Sequence, residues 1–272
     1  VELSFDLEAD RMRNLVIDED TFKKEINVVL EERRLRTDDS PQSLAVEASQ
    51  AVAYMTSPYR YPVIGWEADI KNMSAADLRA WYQRWYGPNN AIVVVVGDVE
   101  PDAVHTLAKK YFGPLAKSDI APPKDRPEVA QNGTKRVTLN SSKARVPYLV
   151  MGYKAPTLAQ AVRGEGVEEW EAYALDVLAA MLTGDNSARL RRELVRGREV
   201  AAEVSAGIET AARLGTLFTF NAVPAEGVSL EKLEQAIVEQ LDGLATHPPT
   251  AAELERIKTQ VVADTVFERD SM

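Results

Sequence analysis

The chain has no cysteine and only two histidines, His105 and His247, in 272 residues. Without cysteine there can be no thiolate zinc site, iron–sulfur cluster, cysteine nucleophile or disulfide, while the redox compartment stays open. Any metal chemistry must draw on histidine and carboxylate. No apolar run approaches the roughly 20 residues that a bilayer span needs. Positive charge is in short supply too, with 32 basic against 42 acidic residues and a formal charge of -10. A field of that sign repels polyanions, so no nucleic acid and no membrane surface is expected as a partner. What the chain has is 45% hydrophobic residues, enough at this length for a buried core and, at roughly 100–200 residues per domain, for two domains.

Residues 1–5, VELSF, carry no initiator methionine and no basic-then-apolar leader pattern, and residues 267–272, FERDSM, stop inside a helical pattern without a cap. Both ends are expected to be cut.

Apolar residues recur at helical spacing over 7–15 and 18–36, and again from Pro41 to Met55. An ordered aromatic loop over 57–62 follows. Ser74 and Asp77 have the spacing of a capping box, opening a helix in which Leu78, Trp81, Tyr82 and Trp85 share a face expected to be core. The β-branched run 92–96 reads as a buried strand, and 102–112 as a helix. Prolines 122, 123 and 127 with Gly133 mark a linker over 118–134, between a first domain at 1–117 and a second at 135–272. In the second, 135–139, 148–153 and 215–222 read as strands, and 168–182, 187–196, 229–244 and 250–267 as helices. The strand–loop–helix pattern of 92–112 has a counterpart in 217–241, a hint of duplication.

One segment carries candidate chemistry. In KEINVVLEERR, residues 24–34, Glu25 and Glu32 are seven apart and return to one helical face. Two turns separate them by about 10.5 Å along the axis, too far for both to bind one ion at the roughly 2.0–2.2 Å that zinc requires. One would be a ligand and the other a supporting carboxylate. From spacing alone the face reads as an ordinary solvated one, with Glu31 and Glu32 paired to nearby arginines.

This segment resembles the downstream glutamate segment of the pitrilysin/insulinase, or inverzincin, zinc metallopeptidase family. The likeness extends through LEADRMRN at 7–14, YRYPVIGW at 59–66, WYGPNN at 85–90, VGD at 96–98 and DNSARL at 185–190. It implies an α+β fold of two homologous domains, each an antiparallel sheet packed with helices and each truncated at its chain end. In that family an H-x-x-E-H segment supplies two zinc-binding histidines and a glutamate base, and a downstream glutamate completes a site that keeps a position for water. Carried over by position, Glu32 becomes the third zinc ligand and Glu25 its support. The activity implied is that of a zinc-dependent endopeptidase, hydrolysing peptides with metal-activated water.

The sequence departs from the pattern in two places. H-x-x-E-H is absent, and neither His105 nor His247 has a histidine or glutamate at matching spacing, so both read as packing or surface residues. The chain itself is therefore expected to be inactive and nearly metal-free, with the missing motif upstream of Val1. In LVRGREVAAE, residues 194–203, the position of the family's oxyanion-stabilising tyrosine falls on Ala202 and that of its arginine on Val195 or Arg196. The resemblance thus implies a homologous subunit supplying Arg and Tyr, or a homodimer, acting on a peptide substrate laid against a sheet edge. The alternative is a non-catalytic assembly subunit of a peptidase-like heterodimer. A bacterial periplasm or cell envelope is favoured over cytoplasm only through the family's bacterial members.

Overall fold

In the computed structural model residues 1–122, 124 and 126–270 are described; Pro123 of the linker reading lies outside them. The chain folds into two compact units, Val1–Leu35 with Val63–Asp125 and Arg36–Pro62 with Arg126–Met272.

The first unit is built from helices α1 (Glu2–Asn14), α2 (Glu19–Arg33), α4 (Glu67–Asn72), α5 (Ala75–Trp85) and α6 (Pro101–Tyr111). In α1, Phe5, Ala9 and Met12 fall on one stripe and are buried. Phe5 meets Phe112 edge-on at 6.1 Å, and Glu2 pairs with Lys110 at 2.7 Å, tying α1 to the end of α6. The Tyr82 hydroxyl donates to the Arg11 carbonyl at 2.7 Å and accepts from the Leu15 amide at 3.2 Å. Asp18 caps α2 by accepting from the amides of Asp20 and Thr21. The capping box forms as the sequence predicts, with Ser74 and Asp77 each accepting the other's amide.

The second unit contains α3 (Pro41–Ala53), a sheet of β1 (Leu149–Ala155), β2 (Ala201–Gly207) and β3 (Thr216–Pro224), and helices α7 (Leu158–Val162), α8 (Glu169–Ala179), α9 (Leu230–Thr246) and α10 (Ala251–Glu268). The sheet is antiparallel throughout, in the order β1-β3-β2. Period-two alternation puts Phe218, Phe220 and Ala222 on one face of the central strand, where they pack with Val204, Leu182, Leu190, Leu194, Leu233 and Ile237. The α+β expectation holds, and this sheet-and-helix layer is its core.

Several readings of the sequence need correction. Residues 92–96 form no ladder, and Ile92, Val94 and Val96 are 91%, 77% and 78% exposed. β-branched composition favours extended backbone, but a strand needs a partner for its N–H and C=O groups, and the first unit has no strand among its described residues. The proposed counterpart of the unit at 217–241 therefore lacks its strand. Residues 135–139 likewise make no ladder; Lys135 donates to the Val52 carbonyl at 3.0 Å and Arg136 forms a two-pronged pair with Glu234 at 2.6 Å. The α5 face expected in the core divides, with Tyr82 buried, Trp85 half-buried, and Leu78 and Trp81 37% and 57% exposed. Finally β2, AAEVSAG, escaped notice because alanine, glycine and serine are weak strand formers; the pairing with β3 organises it.

Candidate functional site

Helix α2 carries the two candidate carboxylates. Its buried residues Phe22 and Arg33, with half-buried Ile26 and Val29 between them, define the inward stripe, and Arg33 donates to the Gly65 carbonyl at 2.8 Å. At 100° per residue, Glu25 and Glu32 stand roughly 70–90° from the middle of that stripe, on the same flank. Glu25 is exposed and Glu32 half-buried. The helix passes directly after Glu32 and Arg33 into a wide π-turn, Arg34–Asp38, a distortion frequent at functional sites.

His105 is exposed on α6. His247, also exposed, lies at the C-terminal end of α9 in the other unit, where its Nδ1 faces the Thr246 hydroxyl at 3.0 Å. Among the described residues no three His, Asp or Glu side chains come together in a way that could hold a metal ion. The donor set among the described residues therefore does not fit a complete zinc site; Glu25 and Glu32 amount to one flank of one helix.

The DNSARL segment is ordered by its own side chains between two wide π-turns, Ala180–Gly184 and Arg191–Gly197. Asp185 accepts from the Ser187 amide at 2.6 Å and hydroxyl at 2.7 Å, which holds its carboxyl below the usual range. Arg189 grips Glu253 with two bonds of 2.8 and 2.6 Å and donates to the His247 carbonyl at 2.9 Å. Arg189, His247 and Glu253 line part of a cavity of about 410 Å³ in the second unit. Just beyond, Val195 packs against the core, Arg196 donates to the Asn186 carbonyl, and Ala202 is an exposed residue at a β-bulge between Ala201 and Glu203. Bulges re-aim side chains and recur beside active sites, yet the side chain here is a methyl group with no hydrogen-bonding capacity.

Sequence reasoning missed the Arg189–Glu253 pair, whose members are 64 residues apart, and a second carboxylate site at Glu128. The Glu128 side chain accepts from the amides of Met55, Thr56 and Ser57 and pairs with Lys154. A glutamate followed by a hydrophobic residue in a proline-rich stretch gives no local sign of such partners.

The model of the family described as the peptidase M16 inactive domain matches residues 72–261 of this chain. The chain belongs to the M16 peptidase family. It is 31% identical over 273 residues to the zinc protease PqqE of Helicobacter pylori, an alignment covering 100% of this chain and 59% of that one. The crystal structure of a protease from Helicobacter pylori superposes with a TM-score of 0.89 at 31% identity, over 99% of this chain and 63% of that one. The periplasmic protease PqqL of Escherichia coli shares the fold, with a TM-score of 0.73 at 19% identity over 96% of this chain and 28% of that one. The chain thus spans less than two thirds of the length of the relatives it matches. The matched domain begins at residue 72, beyond α2, so both candidate carboxylates lie outside it. No helix among the described residues is long and apolar enough to cross a membrane.

Proposed function

We propose that the whole M16 protein is a zinc-dependent endopeptidase subunit of the metal-bearing type, in which Glu32 is the third zinc ligand and Glu25 supports it. The observation that carries this is the placement of both carboxylates on one flank of α2, two turns apart, immediately before a π-turn. The two histidines and the general base come from an H-x-x-E-H segment outside this sequence, so the 272-residue chain alone is inactive and takes up little zinc. Peptide is the substrate class. Because Ala202 has no polar atom in its side chain and Arg196 is engaged by Asn186, the oxyanion-stabilising Arg and Tyr come from a homologous subunit or a second copy. On this reading the domains run over 1–117 and 135–272 about a linker at 118–134, and the protein works in the bacterial cell envelope. The alternative of a non-catalytic assembly subunit is disfavoured, since a relative aligned over the whole of this chain bears the name of a zinc protease.

The test is zinc stoichiometry and peptide cleavage by the whole protein, with and without Glu32→Gln. Stoichiometric zinc that is lost in Glu32→Gln, with a smaller weakening in Glu25→Gln, supports the assignment. Unchanged zinc content in Glu32→Gln overturns it, as does tight zinc binding by the 272-residue chain through Glu32.

A further inference from the structure

Between α7 and the start of α8, in the second unit, lies an open groove of about 550 Å³ lined by Ala161, Val167, Glu168, Glu169, Trp170 and Tyr173. Trp170 and Tyr173 are spaced i, i+3 on one face of α8, and they are 67% and 55% exposed. Val162, at the end of α7, is 77% exposed. Single exposed apolar residues are ordinary, but two aromatic rings beside neighbouring valines form a patch of the kind that marks an interaction surface.

Charge selects what the patch can receive. Two carboxylates and no cation line the groove, and among the described residues no cation pairs with Glu168 or Glu169. The cation nearest in sequence, Arg163, is engaged by Glu165 and donates to the Arg213 carbonyl at 2.9 Å. Acidic residues in the first turn favour the helix N-terminus and need no ligand for that purpose. That effect does not account for large rings left in water beside them. Trp is the strongest side-chain partner for a cation over its ring face, and flanking carboxylates add to the attraction. With a net charge of -10, the chain also attracts basic partners at long range and repels acidic ones.

We propose that this groove docks a polypeptide segment of another protein in which lysine or arginine alternates with apolar residues, the cation resting on Trp170 between Glu168 and Glu169. The groove belongs to the second unit and the candidate carboxylates to the first, and its failure would leave the proposed activity untouched.

The probe is the acetylated, amidated peptide Leu-Arg-Leu-Lys-Leu, compared with Leu-Gln-Leu-Gln-Leu, and the readout is the four indole N–H signals in two-dimensional NMR of the 272-residue chain. Trp170→Phe, which replaces one exposed ring by another, assigns the signal of Trp170. The expected result is a saturable shift of that signal alone with the basic peptide, weakened by salt, weakened about threefold by Glu169→Gln and about tenfold or more by Trp170→Ala. An unmoved Trp170 signal overturns the proposal. An equal shift with the glutamine peptide overturns the cationic occupant, and a shift on concentrating the protein alone makes the occupant a second copy instead.

Discussion

The ammonium of Lys154 lies 3.1 Å from the carboxylate of Glu128 and 4.1 Å from the centre of the Tyr54 ring. Strand β1 is thereby fastened both to Glu128, within the proline-rich stretch 118–134, and to the turn that follows α3. The same carboxylate closes the turn itself, accepting from three successive amides at 2.9, 3.0 and 2.8 Å. The neighbouring Thr56 hydroxyl donates to the Pro127 carbonyl at 2.7 Å.

Burial acts to raise the carboxyl pKa of Glu128, but the three amides and Lys154 outweigh it and hold it at about 2. A group whose folded pKa is depressed contributes stability that is complete above its unfolded value, near 4.5, and disappears as pH falls through about 2. With the side chain 15% exposed, Glu128→Gln is expected to cost about 2 kcal/mol at neutral pH, since charge-assisted bonds become neutral ones. Urea unfolding at pH 7 checks this, and the gap between the two proteins should narrow as pH falls from 5 towards 2. A gap that stays constant with pH would mean that the carboxylate charge contributes nothing.

How much of this was legible in the sequence depends on the range of the interactions. The capping box of Ser74 and Asp77 and the alternation of β3 are local patterns, and both are found as expected. Strand β2 owes its form to pairing with β3 rather than to its own alanines, so propensity could not reveal it. Residues 92–96 show the reverse, a strong propensity with no partner among the described residues. Glu25 and Glu32 could be placed on one face by counting alone. The partners of Glu128 and Arg189, some 70 and 64 residues away, leave no periodic trace.

Glu199 has φ of 50°, the one non-glycine residue among those described in the left-handed region. It follows the π-turn Arg191–Gly197, where Arg198 donates back to the Glu193 carbonyl at 2.7 Å and Val200 to that of Leu194 at 2.9 Å. Glycine usually occupies this closing position because it has no Cβ to crowd the following carbonyl. Glu199→Gly is therefore expected to stabilise the protein by up to about 1 kcal/mol, the relief of strain exceeding the added freedom of the unfolded chain. A lower unfolding midpoint would show instead that the Glu199 side chain makes a contribution larger than its backbone strain.

The fork of Arg189 on Glu253 anchors the first turn of α10 to the DNSARL segment, and both side chains are largely buried, at 17% and 23% exposed. A lysine keeps the charge but cannot make two parallel bonds and reach the His247 carbonyl as well. Arg189→Lys is expected to cost about 1–2 kcal/mol and to speed hydrogen exchange in the first turns of α10 before it affects β3. The Arg189 hydrogen bond holds the Glu253 carboxyl below its ordinary pKa. This contribution is therefore present above the unfolded carboxylate pKa and is lost on acidification. Uniform acceleration of exchange across the second unit would place the pair in the global core rather than at this anchor.

Residues 92–96 have the composition of a buried strand, yet four of the five are exposed. A buried strand would not tolerate a lysine at Val94, because an unpaired ammonium in the core costs several kcal/mol. With Val94 77% exposed and in no ladder, Val94→Lys should change the stability of this chain by less than about 0.5 kcal/mol. It should also improve solubility, since an exposed extended apolar run is a template for pairing between chains and a lysine within it opposes that pairing. The check is thermal unfolding together with light scattering at increasing protein concentration. Destabilisation by several kcal/mol would return these residues to the interior, whereas unchanged stability with less association would confirm an unpaired edge.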